Sequence, residues 1–324
     1  MKLEKFALRN EAGLEVIFCT LGASIYGIRF HDEWMTLTPK EDKDYSLLGI
    51  YHGKTVGRAA NRLKGNHIEI DGKTYALEDN QLGNVLHGGL HPISARVFAY
   101  KTEETGDESI VSFHTLSPDG ESGFPGNLEL NVTYRLKKKE ATLCIEFEAK
   151  TDKATLCNLT NHAYFSLGEK NLNNLSLRIP ASTYIKAREK DLVLVSLSPV
   201  NEALDFRKEK PIMKDIAKVD FGMAHGYDHG YLFDEGEHAV TLSSPRYRLT
   251  IESDFLGAQI YADNYEDGIA YFGTEDPNRR GLAIEPQDNT LNREVLRPGE
   301  TYRRHIVYHF EKRASANKRI IKSQ

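Results

Sequence analysis

Leu128-Glu129-Leu130-Asn131-Val132-Thr133-Tyr134-Arg135-Leu136, the charged step Lys137-Lys138-Lys139-Glu140, and then Ala141-Thr142-Leu143-Cys144-Ile145-Glu146-Phe147-Glu148-Ala149-Lys150 form the most regular stretch of the chain. Apolar and polar residues alternate on both sides of the step, the period of a strand with one face buried. Two such strands joined by a short polar turn predict an antiparallel pair. Strands at 96–101 and 109–116 extend it upstream into a meander. Between 116 and 128, Ser117-Pro118-Asp119-Gly120-Glu121-Ser122-Gly123-Phe124-Pro125-Gly126 is dense in turn formers and reads as a structured loop.

The same period recurs toward both ends. Glu15-Val16-Ile17-Phe18-Cys19 and Ser24-Ile25-Tyr26-Gly27-Ile28-Arg29-Phe30 read as paired strands, with Gly22-Ala23 as a turn or bulge between them. In His67-Ile68-Glu69-Ile70-Asp71-Gly72-Lys73-Thr74-Tyr75-Ala76-Leu77, the Asp71-Gly72 pair supplies the positive-φ residues of a tight hairpin. Downstream, strands are expected at 175–179, around Tyr184, and at 191–197, 238–242, 246–252, 258–262, 282–285 and 303–309. Only 212–219 reads as helical. Without alternation of strands and long amphipathic helices, the chain is all-β and not a parallel α/β protein. No fixed repeat or low-complexity linker divides it, so residues 1–311 are expected to form one domain, followed by a polar basic tail at 312–324.

With 40% hydrophobic and 27% charged residues, the 324-residue chain has ordinary globular composition, and no apolar run approaches a membrane span. The amino terminus shows no export pattern, so cytoplasm is the expected compartment. A net charge of −5, with basic residues concentrated only in the tail, argues against nucleic acid as a partner. Three cysteines without close spacing read as buried thiols.

Polar groups gather in five places: Gly57-Arg58-Ala59-Ala60-Asn61-Arg62, Leu86-His87-Gly88-Gly89, Asn161-His162-Ala163-Tyr164, His225-Gly226-Tyr227-Asp228-His229-Gly230 and Ile284-Glu285-Pro286-Gln287. His225 and His229 have the spacing of two metal ligands on a helix, but the glycines at 226 and 230 oppose that helix. Nucleophilic catalysis is weakly supported, because Ser166 lies in no Gly-x-Ser-x-Gly motif and Cys157 has no base beside it. Glu285 and Asp228 also satisfy the requirement of a glycosidase for two carboxylates. Tyr164 and Tyr227 are read as core rather than as sugar platforms.

In this order, and with Leu63-Lys64-Gly65 and Asp119-Gly120 through Gly123-Phe124-Pro125-Gly126 added, these stretches resemble the aldose 1-epimerases, or galactose mutarotases, from about Gly22 to about Tyr308. The resemblance implies a large antiparallel β-sandwich of the galactose mutarotase type, a monosaccharide substrate, and no metal or organic cofactor. It implies His162 as general acid and Glu285 as general base, with Arg62, His87 and Asp228 gripping the sugar and Asn61 and Gln287 as secondary contacts. Interconverting anomers requires a proton to leave the anomeric hydroxyl while another reaches the ring oxygen, so an acid and a base must flank the sugar. A carboxylate near His162 would favour imidazolium and burial would oppose it. Two further readings keep the same cleft: an epimerase of phosphorylated hexoses, needing an extra cation such as Arg58 or a lysine, and a non-catalytic sugar-binding protein.

Overall fold

The computed structural model describes residues 3–219, 225–288 and 294–314. Its largest element is a nine-stranded sheet built around the meander. Leu128–Lys137 pairs antiparallel with Thr142–Thr151 in a register that places Tyr134 opposite Ile145 and Leu136 opposite Leu143. The alternation sends Leu128, Leu130, Val132, Tyr134 and Leu136 inward, where they meet Leu143, Ile145 and Phe147. Burying each of these large side chains contributes about 1.5–3 kcal/mol relative to exposure. The long final strand, Tyr302–Lys312, then inserts beside Thr142–Thr151 and joins the two halves of the chain in one sheet.

A six-stranded sheet runs in the order Tyr164–Phe165, Leu282–Gln287, Gly257–Tyr261, Asp228–Leu232, Thr183–Ala187, Leu194–Pro199. A four-stranded sheet at the amino-terminal end includes Lys5–Arg9, which sequence reading passed over. One apolar cluster draws on all three sheets, with Phe18, Val132, Phe165, Tyr231, Ile284 and Tyr308 among its members. The architecture is therefore all-β and antiparallel, as expected. Among the described residues no helix is long and apolar enough to cross a membrane.

The expected helix at 212–219 is two 3-10 turns, Ile212–Lys214 and Ile216–Lys218. Asp215 between them has φ −122°, which interrupts the helical path. One short α-helix, Asp42–Tyr45, lies where none was foreseen. The Asp71-Gly72 turn takes the positive φ values its residues suggest, 53° and 73°. The first strand of the meander is shifted to Ala99–Glu104, and the strand expected at 191–197 starts at Leu194. Of the expected tail, Lys312 ends the last strand and Arg313 donates to the Ser244 carbonyl; residues 315–324 lie outside those described.

Gly53 ties this scaffold to the central motif. Its N–H donates to the His162 carbonyl, and its own carbonyl accepts from Ile25 N–H and from the Asn161 side chain. At φ +65° it leaves no room for a side chain, since a Cβ there would lie 1.8 Å from the Ile25 carbonyl oxygen. Gly53→Ala is expected to cost about 3 kcal/mol through strain and steric overlap, read as a lower melting temperature in calorimetry.

Candidate active site

Strand alternation builds the floor of a cleft. In Leu282–Gln287, Leu282 and Ile284 enter the apolar core, so Glu285 points to the opposite face. Cross-strand register continues that face: Glu285 lies opposite Gln259, which lies opposite Gly230, and the next row runs Tyr164, Ala283, Tyr261, Asp228. The short strand pair Arg62–Leu63 and Val85–Leu86, with Asn61 and His87 flanking it, brings Arg62, Asn61 and His87 over this floor. The result is a cleft of about 340 Å³ that Arg62, Asn61, His87, His162, Asp228 and Glu285 all line.

The central contact is His162 Nε2 at 3.3 Å from Glu285 Oε1, both side chains almost wholly buried. The backbone of His162 is fixed by its N–H donating to the Lys54 carbonyl and by its carbonyl accepting from Gly53. The imidazole stacks with two tyrosine rings, Tyr51 at 5.6 Å and Tyr164 at 5.0 Å between ring centroids. Tyr164 is thus a cleft residue, not simply the core residue expected.

Arg62 reaches Asp228 with N–O separation 3.5 Å and donates from Nε to Gln81 Oε1 at 2.7 Å. Gln259 donates to Asp228 Oδ1, fixing that carboxylate from the other side. The Asn61 backbone N–H donates to His87 Nδ1 at 3.2 Å, while Asn61 Oδ1 accepts from Arg62 N–H. Because Nδ1 accepts, neutral His87 carries its proton on Nε2 and presents a donor. Gln287 stands apart: it lines a small hollow with Asn61, Gly230, Gln259 and Asp288, outside the cleft. Two residues beyond Glu285, it shares that residue's face but lies about 7 Å farther along the strand.

Burial decides the protonation states. It lowers the His162 value to about 3 and holds His87 well below the ordinary imidazole range. It raises Glu285 well above the usual carboxylate range, an effect Asp228 adds to and Arg62 opposes. Desolvation thus outweighs the carboxylate that sequence reasoning set against it, and burial holds His162 neutral. Stability carries the same signature. The folded chain protonates His52 and His162 only near about 3 and His229 near about 4, while an unfolded histidine does so at about 6.5. Between these values the unfolded state binds more protons, so folding stability falls as pH falls. The melting temperature is expected to drop between pH 6.5 and pH 4, and a flat profile would contradict these burial assignments.

His87, His162 and Glu285 offer ligand atoms within 4.8 Å of one another, a spacing open to a metal ion. The surrounding hydrogen bonds do not suit one. A metal-bound imidazole donates its other N–H to an acceptor. Here His87 Nδ1 accepts instead, and His162 Nδ1 has no partner among the described residues. The donor set fits proton transfer better than ligation. His225 and His229, the pair considered for metal from spacing, contribute to no such cluster among the described residues.

A family model described as aldose 1-epimerase matches residues 4–309. The chain belongs to the aldose 1-epimerase family. It is 31% identical to galactose mutarotase of Mus musculus over 93% of this chain and 92% of the relative, and 33% identical to aldose 1-epimerase of Haemophilus influenzae over 86% and 85%. The crystal structure of galactose 1-epimerase from Lactobacillus acidophilus superposes with a TM-score of 0.86 at 27% identity, covering 97% of this chain and 99% of that one. Aldose 1-epimerases are carbohydrate isomerases, and the fold is the galactose mutarotase-like one that the resemblance implied. Tyr51, Gln81, Gln259 and Tyr261 also line the cleft without having been singled out from sequence. Alternation with Ile260 was the one signal for Gln259 and Tyr261; Tyr51 and Gln81 sit in loops that carry no periodic signal.

Proposed function

We propose that this chain interconverts the α- and β-anomers of free hexopyranoses such as glucose or galactose, with Glu285 and His162 as the proton-transfer pair. The observation that carries the reading is the 3.3 Å contact between His162 Nε2 and Glu285 Oε1 inside a cleft also lined by Arg62 and Asp228. Neutral His162 and protonated Glu285 together hold one proton. Moving that proton across the contact gives carboxylate and imidazolium at no change in proton count. Glu285 then takes the proton of the anomeric hydroxyl and His162 donates to the ring oxygen. The ring opens to the aldehyde, the bond between the first two carbons rotates, and closure on the other face returns both protons. His87 Nε2–H and Arg62 supply donors to sugar oxygens, and Asp228 supplies acceptors. Asn61 acts behind them by fixing the His87 ring; no sugar contact is proposed for Gln287. The same reading takes residues 1–311 as one domain, because a single apolar cluster draws on all three large sheets.

Free sugars fit this cleft better than phosphorylated ones. Arg62 is the only arginine or lysine lining it among the described residues, and it is paired with Asp228. Arg58 is committed elsewhere, its buried guanidinium donating to the carbonyls of Ser117, Pro118, Pro125 and Gly126. Polarimetry should therefore find kcat/KM for fresh α-glucose at least about tenfold above that for glucose 6-phosphate. Equal or reversed rates would favour the hexose-phosphate reading. Saturable sugar binding without any acceleration of anomer exchange would establish a non-catalytic sugar-binding protein instead.

A further inference from the structure

The dipeptide Tyr51-His52 reaches the rings of both His162 and Tyr164. Tyr51 stacks with His162 at 5.6 Å between centroids, His162 stacks with Tyr164 at 5.0 Å, and His52 stacks with Tyr164 at 4.2 Å with an interplanar angle of 18°. Two adjacent residues thus hold both members of a stacked ring pair. The next two residues hold the backbone of the same histidine, Gly53 donating to its carbonyl and Lys54 accepting from its N–H. We infer that Tyr51-His52-Gly53-Lys54 is a clip that sets the ring plane of His162, and that His52 is a positioning residue acting on the acid through Tyr164.

The outer jaw is braced. His52 packs against Tyr271 at 5.0 Å, and the guanidinium of Arg280 lies over the other ring at 4.6 Å from its centroid. Asp263 and Asp267 hold that guanidinium by paired hydrogen bonds, so the bracing cation is neutralised where it is buried. Neither ring nitrogen of His52 has a hydrogen-bond partner among the described residues, although the residue is buried. A buried histidine that makes no hydrogen bond contributes a flat plate rather than a donor or acceptor. His52 touches no reacting atom; its effect passes through ring packing. The alignment matters because a displacement of about an ångström at a reacting group can cost about a hundredfold in rate.

The kinetic part of this inference rests on the acid/base role proposed for His162; the clip itself does not. The experiment compares His52→Leu, which removes the plate, with His52→Phe, which keeps one. The readouts are kcat and KM for anomer exchange, melting temperature, and the ring-proton NMR shifts of His162, which the flanking tyrosine rings displace. For His52→Leu, kcat should fall about tenfold or more with KM within about twofold, and the His162 ring protons should move toward unstacked values. His52→Phe should restore both to within about threefold of wild type. A His52→Leu protein with wild-type kcat, or a His52→Phe protein as impaired as His52→Leu, overturns the positioning role. A loss of melting temperature with kcat intact also overturns it, assigning His52 to stability alone. If wild type accelerates no sugar's anomer exchange, the functional reading fails, while unchanged His162 ring shifts in His52→Leu would separately refute the clip.

Discussion

Glu285→Gln is expected to lower kcat for anomer exchange by about a thousandfold while leaving the fold and sugar affinity nearly intact. The glutamine side chain matches the carboxyl in size and can occupy the same buried position on the strand Leu282–Gln287, where every residue is buried. What it cannot do is accept and return a proton. Burial already keeps Glu285 close to its uncharged form, so a neutral amide should not disturb the site electrostatically. The prediction is therefore a kcat effect without a matching change in KM, the pattern expected when an interaction acts only in the transition state. A variant that equilibrates fresh α-galactose as fast as wild type would show that Glu285 is not the base.

His162→Asn is expected to lose activity on the same scale, about a hundredfold to ten-thousandfold. Its pH dependence carries the finer information. With one proton shared by the pair, a second proton arrives only near the His162 value of about 3, and the shared proton leaves only above the raised Glu285 value. Wild-type kcat/KM should hold steady from about pH 4 upward and decline on the alkaline side as Glu285 ionises without a protonated partner. These limbs belong to the pair and not to either residue. A profile that instead falls steeply below about pH 6.5, the ordinary imidazole value, would mean that His162 titrates as an unburied histidine does and that its surroundings do not hold it neutral.

Much of the fold was legible because its strands keep one wet face. Leu128 through Leu136 alternate without a break, and their inward set is the set that packs. The failures came where local pattern meets an irregular backbone. Residues 212–219 have helical composition, yet Asp215 leaves the helical region and the segment splits into two turns. Lys5–Arg9 is partly exposed along its length and so carries only a weak apolar signal. In the site, Arg62, His87, His162, Asp228 and Glu285 were marked by motifs, but their grouping depends on cross-strand register, which one sequence does not display. Gln259 reaches Asp228 only because Gly230 and Glu285 flank it in neighbouring strands. Gln287 was selected for closeness in sequence to Glu285, and strand rise carried it out of the cleft. The protonation of His162 turned on a balance between burial and a neighbouring carboxylate that only packing resolves.

The central claim is that Glu285 and His162 work as one unit passing a single proton. A double-mutant cycle tests it most directly, comparing kcat for anomer exchange in wild type, Glu285→Gln, His162→Asn and the double variant. Residues that act as a unit give strongly non-additive losses. The double variant should be about as slow as the slower single variant and remain measurably faster than spontaneous mutarotation. Losses that multiply, leaving no rate above the spontaneous one when each single variant retains activity, would contradict the shared-proton pair.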